Sequence, residues 1–489
     1  MDDASRPQMS DTPDTQSYPQ YRFTSLLILL IVLVAIIAVA QQWSLEALEE
    51  PALDQAILQG DISIKMAYSL GGWTNSVKTD IRSKDVFERQ ARLFERSAVT
   101  AYTRAARKRK SVDAMRRLII LGPSEDRHTY IEWLASAHQI QPSEVQMWRV
   151  LYVEHGPVTR KSLTAYSTII RGLDLRWFEH LALADLYRRS GMADRANLQI
   201  DYAIREAQRT TVGFTVLIAL VGILGILGVG IVALYVTRIL VGSRRLTDLP
   251  MSENVRQFKS GVLLQIFIVY LLIWGGTQFV GGLLVGTISV SKYHDVTELE
   301  IYTAAASYIL GGILAVGFLA RKLRAVDWPF ETIGLTGKGW RREVLVGVAG
   351  YGASLPLLFI AALVTQLITG PGGEPSNQVI PLIARAEGFG ERLVLFLLVG
   401  VAAPFFEEIF FRGVLLNSFR ARWTPVIGIV LSAGTFAMLH PLIGFLPIFA
   451  LGSVFAVLLY ERKSLVSPMI AHSISNMVTF LILVLLVGS

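Results

Sequence analysis

No cysteine occurs among the 489 residues. That absence excludes a disulfide framework, a thiolate-ligated zinc or iron–sulfur centre, and a cysteine nucleophile. Charge is the second scarcity: Asp, Glu, Lys and Arg make up 17% of the chain, against about 25% in a typical soluble domain. Hydrophobic residues reach 52% and the mean hydropathy is +0.46, so much of the chain is built to sit away from water. The formal net charge is +7. In a membrane protein Lys and Arg mark cytoplasmic edges and meet anionic lipid, which accounts for the surplus without nucleic acid as a partner.

A helix crosses the bilayer core with ~20 apolar residues. Nine segments read as spans: 24–40, 212–238, 261–288, 301–320, 343–369, 391–414, 424–443, 445–460 and 465–487. The loops between them alternate in basic residues. Arg244, Arg245, Arg256 and Lys259 are followed by Lys292 alone, then by Arg321, Lys322, Arg324, Lys338, Arg341 and Arg342. Arg385 alone comes next, then Arg420 and Arg422, then none in 441–446, then Arg462 and Lys463. The positive-inside rule therefore predicts a cytoplasmic N-terminus, with residues 42–210 and the C-terminus outside.

The expected organisation is an all-α polytopic membrane protein. It has a cytoplasmic tail at 1–23, a transmembrane anchor at 24–41, an extracytoplasmic helical domain at 42–210, a second span with a basic loop at 211–259, and a membrane domain at 260–489. Ala38-Val39-Ala40 has the small-x-small form of a signal-peptidase site, but the stretch is long and its leader weakly basic, so an uncleaved anchor is expected.

Residues 42–210 are rich in Ala, Leu, Arg, Glu and Gln and show no strand-like alternation. Leu183, Ala184, Tyr187, Gly191, Ala196, Ile200 and Ala203 are spaced as in a tetratricopeptide unit. An ordinary helical hairpin at the membrane base fits the same pattern, and a repeat array would offer a surface for a peptide or protein partner. The basic run Arg104 to Lys110, with Arg116 and Arg117, reads as a solvated face available to anionic lipid or cell wall.

Charged side chains within a membrane cost at least ~2.5–3.5 kcal/mol each and point to function. Well inside the expected spans only two carboxylates occur, Glu407 and Glu408. Arg412 follows Glu408 by four residues, where the two can neutralise one another; Glu407 is left over. His440, one turn after Phe436, and His472, one turn before Asn476, are the only histidines in the apolar part. At ~1.5 Å rise per residue, these groups lie on the order of 12 to 24 Å from the cytoplasmic edge, so one mid-membrane cluster is feasible. A buried carboxylate without a cation can serve as a general base, His440 can hold the same water, and His472 and Asn476 can donate to an oxyanion. The set also contains zinc ligand types, Glu407, His440 and His472 with an open position; metal-free water activation is preferred.

The segments EEIFFR, FAMLH and HSISN match the EExxxR, FxxxH and HxxxN motifs of the CPBP intramembrane proteases, also called the Abi or CAAX-protease-like family. The resemblance covers roughly residues 260–489. It implies an endopeptidase with its site inside the membrane, Glu407 activating water with His440, His472 and Asn476 holding the oxyanion, and Glu408, Arg412 and Phe436 in support. It leaves the zinc question open. The expected substrates are membrane-associated proteins or peptides in a bacterial cytoplasmic membrane, with a prenylated CAAX substrate disfavoured. Two other readings stay open: a non-catalytic scaffold or bacteriocin-immunity protein, and a transporter relaying protons through Glu and His.

Overall fold

The computed structural model describes residues 23–47, 55–76, 81–138, 140–241, 253–291, 297–369, 382–383, 386 and 388–487. The expected N-terminal tail, and the loop residues Arg244, Arg245, Lys292 and Arg385, lie outside them. The described residues are helical and contain no strand, as the composition and periodicity predict. Among the described residues eight helices are long and apolar enough to cross a membrane.

Helix α1 (Phe23–Ala47) is followed by α2 (Gln55–Ser76), α3 (Ile81–Arg109), α4 (Val112–Leu121), α5 (Arg127–Ala135), α6 (Pro142–Arg149), α7 (Arg160–Gly172) and α8 (Trp177–Arg189). Then come α9 (Ala193–Leu240), α10 (Glu253–Ser291), α11 (Thr297–Ala325) and α12 (Trp340–Thr369). Helix α13 (Phe389–Arg420) is one long span, followed by α14 (Pro425–Met438), α15 (Phe445–Arg462) and α16 (Val466–Val487).

Helices α2–α8 and the first part of α9 close over one apolar core that includes Ile64, Tyr102, Leu118, Trp148, Trp177 and Phe178. The expected hairpin is present: α8 turns through Gly191, whose φ of +74° suits glycine, and Leu183 and Ala184 are buried on one arm, Ala196 and Ala203 on the other. The second arm runs on as a helix of 48 residues, about 72 Å long, that joins the outer core to the membrane bundle. The helices upstream range from 8 to 29 residues. Arg116 and Arg117 are not on the expected solvated face. Arg116 pairs with Glu144 at 2.8 Å and Arg117 with Asp61 at 2.9 Å, all well covered, because two guanidinium groups under the α2–α4 layer need carboxylates there. Arg104, Arg107 and Lys110 are exposed as expected.

In the membrane bundle α9 and α12 approach through glycine. A side chain at Gly228 would strike the backbone of Gly352, the close approach that small residues permit in lipid. The main bundle core gathers α10, α11, α13, α14 and α15 around Phe267, Phe410, Phe411, Leu415 and Phe436, and α1 contributes Phe23, Leu30 and Val34 to it.

The expected span at 424–443, the seventh of the nine, is shorter in the structure. Helix α14 has 14 residues, about 21 Å against a ~30 Å core. Thr424 caps its start, accepting from the Ile427 amide at 3.4 Å, with Pro425 in the first turn. Pro441 disfavours helical backbone at His440, so the chain turns through Leu442–Gly444 before α15.

Candidate active site

Helix α13 is not a uniform α-helix. It runs as α over Phe389–Leu397, widens to a π-helix over Leu398–Ala402, returns to α over Ala403–Glu407, and is π again over Glu408–Leu416. Such widened turns are rare and concentrate at functional positions. They disturb the regular ladder, and side chains take up carbonyls in or beside them. Asn476 Nδ2 donates to the Val399 carbonyl at 2.9 Å, Ser432 Oγ to that of Phe411 at 3.0 Å, and Asn417 Nδ2 to that of Gly413 at 2.8 Å. Polar side chains of α14 and α16 thus lock onto the widened turns of α13.

Glu407 stands at the junction between α and π segments. Its side chain is 17% exposed, while that of Glu408 is 0% exposed. The Tyr308 hydroxyl, from α11, donates to Glu407 Oε1 at 2.8 Å. The other oxygen, Oε2, lies 3.7 Å from Nε2 of His472.

Glu408 meets Arg412 as the spacing predicts, Oε1 to Nη1 at 3.0 Å, and both side chains are wholly buried. His472 shares that oxygen, with Nδ1 at 2.9 Å. Arg412 also donates from Nη2 to the Gly452 carbonyl at 3.3 Å, and its guanidinium lies over Phe436 at 4.4 Å and Phe455 at 5.3 Å. Glycine at 452 leaves room for it, since a Cβ there would press on Nη2.

His440 sits just past the end of α14, half-buried. Its Nδ1 is 2.8 Å from the Phe436 carbonyl. A carbonyl only accepts, so Nδ1 carries the hydrogen and Nε2 is left with its lone pair in the neutral ring. The ionisable groups it faces are Glu407, His472 and Arg412. Phe436 braces the whole set: its ring meets His440 at 4.8 Å and His472 at 5.8 Å, both edge to face. Phe455 stacks on His472 at 5.0 Å.

Glu407, Glu408, Arg412, Phe436, His440 and His472 are therefore one cluster. Asn476, one turn beyond His472, is tied to the π segment of α13. Among the described residues no group of three or more His, Asp or Glu side chains is arranged to hold a metal ion; Glu408 occupies Nδ1 of His472 and the Phe436 carbonyl Nδ1 of His440.

Two polar groups of the bundle, the half-buried Tyr308 and the buried Glu343, were not anticipated. Tyr308 is one; a tyrosine amid the apolar residues of the expected 301–320 span, one residue after Ser307, is the signal that marks it. Glu343, at the edge of an expected span, is the other. It is 5% exposed and held by Arg462 Nε at 3.1 Å and Ser467 Oγ at 3.1 Å, tying α12 to α15 and α16 away from the cluster.

No curated protein and no solved structure matches the chain. A family model described as type II CAAX prenyl endopeptidase Rce1-like matches residues 389–478, from the start of α13 to the middle of α16. That stretch contains Glu407, His440, His472 and Asn476, and residues 389–478 of this integral membrane protein are a domain of the Rce1-like, or CPBP, family.

Proposed function

We propose that this domain is an intramembrane endopeptidase that hydrolyses peptide bonds of membrane-associated proteins or peptides with water activated by Glu407 and His440. The observation that carries the reading is the division of labour between adjacent carboxylates. Glu408 is sealed against Arg412 and His472, whereas Glu407 is partly open and has no arginine or lysine partner among the described contacts.

In this scheme Glu407 takes a proton from water as the water oxygen bonds to the peptide carbonyl carbon. His440 Nε2 accepts the second water hydrogen bond and fixes the direction of attack. The tetrahedral oxyanion is met by Nε2–H of His472 and the second amide hydrogen of Asn476. As the C–N bond breaks, Glu407 passes its proton to the leaving nitrogen. The scheme uses no metal, and it does not extend to a prenylated substrate. The helical domain at 42–210, continuous with the bundle through α9, is proposed to bring substrates to the membrane.

The test is cleavage of a quenched-fluorescent peptide library by the purified protein in liposomes, with and without a chelator. Cleavage indifferent to chelation supports the scheme. Loss on chelation with recovery on added zinc would replace it with a metal site built on Glu407, His440 and His472.

A further inference from the structure

We propose that Tyr308 is a positioning residue for Glu407, fixing the orientation of its carboxylate. This rests on the reading of Glu407 as the water-activating group.

The two oxygens of Glu407 have separate neighbours. Oε1 accepts from the Tyr308 hydroxyl at 2.8 Å, and Oε2 is the one 3.7 Å from His472. With Oε1 held, the carboxylate plane cannot turn freely, and Oε2 is the oxygen presented to the histidines.

The approach that allows this contact is built into α11. Gly312 lies one turn after Tyr308 on the same face, and a Cβ at 312 would run into the ring of Phe406. Phe406 immediately precedes Glu407, is itself buried, and packs 6.4 Å from the Tyr308 ring. The bare glycine lets α11 close on α13 at the level where the phenol reaches the carboxylate. Tyr308 and Gly312 both lie outside residues 389–478, so a helix beyond the matched domain completes the site.

Several other charged or titratable groups act on Glu407. They are Tyr270 from α10, His440 after α14, His472 from α16, and Glu408 and Arg412 on its own helix. The hydrogen bond to the carboxylate comes from Tyr308. Removing that hydroxyl while keeping the ring isolates its effect.

The experiment measures kcat and KM separately for wild type, Tyr308→Phe, Gly312→Ala and Glu407→Gln, each the full chain in liposomes, on a library peptide that wild type cleaves. Tyr308→Phe is expected to lower kcat about 10-fold at nearly unchanged KM, the scale of one hydrogen bond to a charged group. Gly312→Ala, which keeps the hydroxyl but displaces Phe406, is expected to lower kcat in the same way and covers the case where Tyr308→Phe does not fold. An unchanged kcat in a folded variant, or a rise in KM alone, would overturn the proposal while Glu407→Gln stays inactive. If Glu407→Gln cleaves as wild type does, the functional reading itself fails.

Discussion

Nδ1 of His472 lies 2.9 Å from Oε1 of Glu408, and this contact decides what His472 can do. With its Nδ1 hydrogen given to Glu408, the ring can donate from Nε2 only as the imidazolium.

The proposed oxyanion role of His472 is open to a kinetic test. His472→Ala is expected to lower kcat by about 100- to 1,000-fold, the usual effect of removing one oxyanion donor, with a much smaller change in KM. A rise in KM at unchanged kcat would show that His472 binds substrate and does not stabilise the transition state.

Arg412 and Glu408 are both wholly buried, so deleting one strands the other. Arg412→Met is expected to destabilise the protein by about 3–5 kcal/mol, read as thermal unfolding in detergent. The double variant Glu408→Gln/Arg412→Met is expected to lose less than the sum of the two single changes. Strict additivity would mean that the pair is not energetically coupled.

Helix α1 is more than a tether. Phe23, Leu30, Val34 and Ala38 form its buried stripe, Phe23 packs edge to face on Trp423 at 5.6 Å, and Arg422 lies over the Phe23 ring at 4.6 Å. Cutting the chain after Ala40 would free a helix from the core that also holds Phe411 and Phe436. Intact mass measurement of the membrane-purified protein is expected to show α1 retained. A mature chain beginning at Gln41 would contradict this.

In the helical domain built from α2–α8, burial with Asp185 and Glu95 nearby pushes the Tyr68 phenol up to about 12, from an ordinary 10.0. A group whose folded value is raised contributes stability that is complete below the unfolded value and is lost as pH rises through the folded one. Alkaline unfolding is therefore expected to draw on Tyr68 between pH 10 and about 12. The phenolate absorbance difference between wild type and Tyr68→Phe checks it: the difference should appear only above the ordinary phenol range, and its appearance near pH 10 in folded protein would contradict the burial argument.

The membrane helices and the motif residues were legible because each leaves a local mark. Long apolar runs identify spans, and carboxylates or imidazoles inside them stand out against lipid. The Glu408–Arg412 pair followed from spacing on one helix. The end of α14 was legible too, in Pro441, but hydropathy carried the expected span across it to residue 443. The π segments leave no comparable mark, since they are met by side chains of α14 and α16 that donate to carbonyls of the widened turns. Tyr308, Glu343 and the inward turn of Arg116 and Arg117 were hidden for a related reason: each is defined by a partner far away in the chain.

The central claim, that Glu407 activates the attacking water, is tested most directly by the cleavage rate of Glu407→Gln against wild type in liposomes, on a library peptide that wild type cleaves. The amide keeps the size and the contact with Tyr308 but cannot take a proton. The account predicts a rate lower by at least about 100-fold, the scale of general-base catalysis, with His440→Ala also impaired. Cleavage by Glu407→Gln at the wild-type rate would contradict it.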